Sequence, residues 1–125
     1  MYVTKMLINS PSDGKRRWIP ISPDAVRATH DELKRVLDTQ PELVAVVMNT
    51  GMRYEVNELK LIVECMEWSF YAELEKGTDE IGVYRSRVDS GSATQVMTYA
   101  NLQDALALRD KLIELEWKTA VATAI

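Results

Sequence analysis

Ile81-Gly82-Val83-Tyr84-Arg85-Ser86-Arg87-Val88 alternates along its length, Asp89-Ser90-Gly91-Ser92 is a turn cluster, and Thr94-Gln95-Val96-Met97-Thr98-Tyr99 alternates again. Period-two alternation on both sides of a short polar turn predicts two antiparallel strands. Asn101 follows, a residue suited to cap free amides, with Asp104 three positions on in an imperfect capping box. Leu102, Ala105, Leu106, Leu108, Leu112, Ile113 and Leu115 then give a broad apolar face, predicting a final helix that ends near Trp117-Lys118. An apolar tail, Ala120-Val121-Ala122-Thr123-Ala124-Ile125, closes the chain. A strand–turn–strand–helix ending occurs in many unrelated domains and names no family.

Working back from that ending, residues 57–76 admit two readings. As a helix, Leu59, Ile62, Val63, Met66, Phe70 and Leu74 form a stripe opposite Lys60, Glu64, Glu67, Tyr71 and Glu75, with Asn57 as cap and Lys76-Gly77 as stop. As a strand, Trp68, Phe70, Ala72 and Leu74 alternate with Ser69, Tyr71, Glu73 and Glu75. The many glutamates and the lack of internal Gly or Pro favour one helix. Before it, Leu43-Val44-Ala45-Val46-Val47-Met48 reads as a strand covered on both faces, Asn49-Thr50-Gly51 as a turn, and residues 52–56 as a short returning strand.

The N-terminal third opens with a strand over residues 2–9, stopped by Ser10-Pro11-Ser12-Asp13-Gly14. Lys15-Arg16-Arg17 leads into Trp18-Ile19-Pro20-Ile21, an extended piece that Pro20 keeps from a central strand position. Ser22-Pro23-Asp24 has the chemistry of a helix start, predicting a helix to about Thr39 before Pro41, with Val26, His30, Leu33 and Leu37 on one face. The sum is one α+β domain over residues 1–125: a mixed or mainly antiparallel sheet of about four to five strands packed by about three helices.

The chain has 125 residues, 46% hydrophobic and 27% charged, with a formal net charge of −4. That is enough to build a core without staples, and the charge argues against a surface that grips phosphate throughout. A single cysteine, Cys65, excludes an internal disulfide, and no apolar run approaches the ~20 residues that span a bilayer. A soluble, cytoplasmic protein with no membrane association is the expectation.

Chemistry-bearing motifs are absent. One His and one Cys cannot build a structural zinc site. A phosphate loop around Gly14-Lys15 would need glycine at Asn9 and Ser or Thr at Arg16. His30 is the only candidate histidine base, and its position on an apolar helix face reads as structural. The expectation is therefore no cofactor, no metal and no catalytic residue.

Surplus aromatics and arginines, which are enriched at protein interfaces, point instead to a non-enzymatic protein–protein interaction module: a small regulator, adaptor, inhibitor or assembly subunit. The candidate contact residues are Trp18, Trp68, Tyr71 and Trp117, with Arg16 and Arg17 as polar anchors. The alternative is a nucleic-acid-binding accessory protein using the loop Lys15, Arg16, Arg17 and the strand pair Arg85, Arg87, since cations beside aromatics suit a single strand. The apolar tail and an open sheet edge would also permit a homodimer.

Overall fold

The computed structural model describes all 125 residues. The chain is α+β, with ten elements in the order β1 (Val3–Asn9), β2 (Arg16–Pro20), α1 (His30–Thr39), β3 (Leu43–Met48), β4 (Arg53–Glu55), α2 (Val56–Cys65), β5 (Trp68–Leu74), β6 (Ile81–Arg87), β7 (Ala93–Tyr99) and α3 (Leu102–Ala124). The strands divide into two antiparallel sheets, one of order β2-β1-β3-β4 and one of order β5-β6-β7. There are thus seven strands rather than the four or five expected, because 68–74 is a strand and because Arg16–Pro20 pairs fully with β1.

Pairing register fixes which residues share a face. In the four-stranded sheet Lys5, Leu7 and Asn9 lie opposite Pro20, Trp18 and Arg16, while Leu7 and Lys5 also lie opposite Ala45 and Val47. The alternate residues Val3, Met6, Val46, Met48 and Tyr54 turn inward and join Leu33, Val36, Leu59, Ile62, Ile113 and Trp117 in one buried cluster. All three helices contribute to that cluster, so they cover one face of the sheet and leave the other open. Pro20 sits on the edge strand β2, where a missing amide costs no ladder bond.

Three sequence expectations are corrected. The first helix starts at His30, not at Ser22-Pro23. Asp24 adopts a left-handed φ of 65°, incompatible with a helical first turn, and residues 26–28 are tied to the start of the chain by an antiparallel bridge between Arg27 and Tyr2, through Val3 N–H to Val26 O and Ala28 N–H to Met1 O. The carboxylate of Glu32 accepts from the Arg27 amide and the Thr29 hydroxyl, closing the true N-terminus.

Residues 57–76 are not one helix. Met66 leaves α2 with φ −74° and ψ 131°, and the Glu67 amide donates to Glu116 Oε1 on α3. Glu55 rather than Asn57 caps α2, in a reciprocal capping box with Glu58. Trp68, Phe70 and Tyr71 suit a pleated surface, and seven consecutive pairings with β6 outweigh the helix propensity of the glutamates.

The last helix does not stop at Trp117-Lys118 but runs on to Ala124, as capped by Asn101 accepting from the Gln103 amide. The apolar tail is its last turns, and Ile113, Trp117 and Ala120 fall on one buried stripe at spacings of four and three.

Candidate functional site

The open face of the four-stranded sheet is built by alternation alone. Lys5, Leu7, Arg16, Trp18, Ala45, Val47, Arg53 and Glu55 all point to it. No helix covers this face, yet Leu7 and Ala45 are buried. Trp18, directly across from Leu7, supplies the cover and remains 40% exposed itself. The Lys5 ammonium lies 4.8 Å from the centre of its indole and the Arg53 guanidinium 5.5 Å away. Arg53 also pairs with Glu55 at 2.8 Å, whereas Lys5 has no carboxylate partner. The result is an apolar patch roofed by an indole and rimmed by three cations to one anion.

An indole orients a cation without neutralising it. A carboxylate partner would fix the side chain and cancel its charge, while a ring quadrupole fixes it and leaves its N–H groups available. The same device recurs at Trp68, where Arg85 and Arg87 stand 4.6 and 5.0 Å from the ring centre. Trp68, Phe70 and Arg85 line a cleft of about 320 Å³ closed on one side by Leu112 of α3. Arg87 is partly neutralised by Asp89, whose carboxyl is held below the usual range by that same guanidinium; Arg85 has no such partner.

The opposite face of the three-stranded sheet has a different character. Tyr71 stacks on Tyr84 across the ladder, with centroids 5.3 Å apart and planes 15° apart. Glu75 accepts from the Tyr84 hydroxyl and, at 2.6 Å, from Gln95 Nε2. Gly82 lies beneath them, and a Cβ there would meet the Glu75 carboxylate and the Tyr84 ring, the latter at 2.7 Å.

The candidate aromatics therefore do not form one patch. Trp18 lies on one sheet, and Trp68 and Tyr71 lie on opposite faces of the other. Trp117 is 3% exposed and packs edge-on against Tyr54 at 5.3 Å, so it is a core residue and is withdrawn as a contact residue. The basic loop also splits: Arg16 joins the open face, whereas Arg17 points the other way and bonds Asp13 at 2.8 Å. Asp13 is held below the usual carboxylate range first by the Lys15 amide and then by Arg17. Lys15 precedes β2 in the exposed turn, and Arg85 and Arg87 lie on the other sheet, so the proposed nucleic-acid residues make no continuous track.

Sequence reasoning missed Lys5 and Arg53. The signal was available for Lys5, because alternation in β1 puts it on the Leu7 face; Arg53 needed the β3–β4 register, which no local pattern encodes.

His30 opens α1 with Nδ1 3.0 Å from Asp31 Oδ1. Clefts on either side of it are lined by Lys34, Asp38, Lys60 and Glu64, and by Glu64, Glu67, Arg87 and Asp89, with no hydroxyl or thiol among the lining side chains. Cys65 is free and half-buried against the core. No group of three His, Cys, Asp or Glu side chains converges in a way that could hold a metal ion. No helix is long and apolar enough to cross a membrane.

Comparison of the chain with protein-family models, curated proteins and solved structures finds no match.

Proposed function

We propose that the protein is a non-enzymatic interaction module that receives an acidic surface or segment of another protein on the open face of its four-stranded sheet. The observation that carries this reading is the Trp18 cluster: an exposed indole over buried Leu7 and Ala45, with Lys5 and Arg53 drawn to its ring. An apolar centre under a Trp, with a charged rim, is the anatomy of a protein interface.

The nucleic-acid reading draws on Lys15, Arg16, Arg17, Arg85 and Arg87, shares only Arg16 with the open face, and needs open ring faces for bases. At Trp18 the ring roofs Leu7 and Ala45 and carries cations, which favours a protein partner. The two readings separate in one experiment: capture from a nuclease-treated lysate with wild type and with a Lys5→Glu/Arg53→Glu variant. A protein retained stoichiometrically by wild type and lost from the variant supports the module. Material lost on nuclease treatment alone, or partners indifferent to the charge reversal, overturns it.

A further inference from the structure

We infer that the three-stranded sheet is completed by a second copy of this chain, β7 pairing antiparallel with its counterpart to give one continuous six-stranded sheet. The inference is independent of the Trp18 surface.

The argument begins with the sheet edges. An edge strand presents unpaired amides and carbonyls, and folded proteins block such edges with charges, proline or very short strands. Three of the four edges here are blocked. β2 carries Arg16, Arg17 and Pro20, β4 is three residues long with Arg53 and Glu55, and β5 carries Glu73. β7 is Ala93-Thr94-Gln95-Val96-Met97-Thr98-Tyr99, seven residues with no charge and no proline. Its one irregularity is a bulge at Val96, the residue skipped between the pairs Val83–Met97 and Tyr84–Gln95. The bulge does not hide apolar surface: Val96 is 43% and Met97 53% exposed.

Burial points the same way. Of the 21 residues in β5, β6 and β7, only Gly82 and Val83 are buried. The chain exposes 7570 Å². A compact monomer of 14.2 kDa exposes about 6,800 Å², so the whole chain, the open face around Trp18 included, carries an excess of about 800 Å². Leu102, exposed just past the end of β7, would extend the apolar contact.

The occupant is a second copy rather than a foreign strand because of charge. A two-fold axis at the centre of β7 sets Val96 against its own counterpart and pairs Gln95 with Met97, Thr94 with Thr98 and Ala93 with Tyr99. Charged residues at those positions would repel, and β7 has none.

Sedimentation equilibrium of the full chain tests this, with Val96→Lys and Met97→Lys as variants. Both side chains are exposed, so the fold of one chain does not depend on them, and circular dichroism checks that it is kept. The expected result is a wild-type dimer whose dissociation constant rises at least about tenfold in each variant, as like charges meet across the axis. Amide exchange in wild type supplies a second readout without any substitution: Ala93–Tyr99 amides should lose protection on dilution. A wild-type monomer at all concentrations, a dimer that both lysines leave unchanged, or β7 exchange independent of concentration would each overturn the inference.

Discussion

Lys5 reaches over the indole of Trp18 from the neighbouring strand, its ammonium 4.8 Å from the ring centre, although the two residues are two pairing positions out of register, on the same face. The contact holds a positive charge in place on an open sheet face without cancelling it. It also explains how a sheet face without helices keeps Leu7 and Ala45 dry: the indole covers them and the charged groups stay at its rim.

Trp18→Ala should therefore uncover Leu7 and Ala45 and cost about 1–2 kcal/mol of stability, with the fold retained. Urea unfolding followed by circular dichroism measures it, and no change in midpoint would mean that the indole covers nothing.

Trp117→Ala should behave differently from Trp68→Ala. Removing the buried ring beside Tyr54 leaves a cavity and should cost about 3–5 kcal/mol. Removing Trp68, half-buried at the sheet margin, should cost under about 1.5 kcal/mol. The same unfolding experiment orders the two variants, and the reverse order would contradict the burial assigned to each.

Gly82→Ala should destabilise by about 1–3 kcal/mol, because a methyl group there meets the Glu75 carboxylate and the Tyr84 ring. The backbone at Gly82 is ordinary extended strand, so the cost is steric. Combining it with Glu75→Ala should recover part of the loss, a non-additivity that a double-mutant cycle reads directly.

The Tyr84 hydroxyl donates to Glu75, and that bond, reinforced by the negative charge of Glu75 and partial burial, raises the phenol above its usual value near about 10. A folded-state value above the unfolded one means that the contribution to stability is fully present below the unfolded value. It is lost as pH rises through the folded value. Phenolate absorbance during alkaline titration should show a late component that Tyr84→Phe removes. Asp13 and Asp89 carry the opposite sign: both are held low in the fold, so their contributions are present above the ordinary carboxylate range and fade as pH falls through the folded values.

Much of the fold was legible because its signals are local. The strand–turn–strand–helix ending, the buried strand 43–48 and the cap at Asn101 each follow from alternation, turn chemistry or a single side chain. The failures came where distant pairing decided the outcome. Residues 68–74 satisfy a helical stripe nearly as well as a strand, and only the partner β6 resolves them. Ser22-Pro23-Asp24 has the right residues for a helix start, but the bridge of Arg27 to Tyr2 and its flanking bonds hold that segment in a non-helical turn. Trp117 read as a helix end because the alanine-rich tail looked like a terminus, when its spacing to Ile113 and Ala120 already put it on the buried stripe. Of the open face, Arg16 and Trp18 were visible in sequence, while Lys5 and Arg53 stand 48 residues apart in the chain and are brought together at the indole by the strand register.

The most direct test of the interaction surface is capture from nuclease-treated lysate with Trp18→Ala and Trp68→Ala side by side, both shown folded beforehand. The partner should be lost from Trp18→Ala and retained by Trp68→Ala, because only the first residue lies on the open face of the four-stranded sheet. Retention by Trp18→Ala together with loss from Trp68→Ala would move the binding surface to the other sheet and contradict the account.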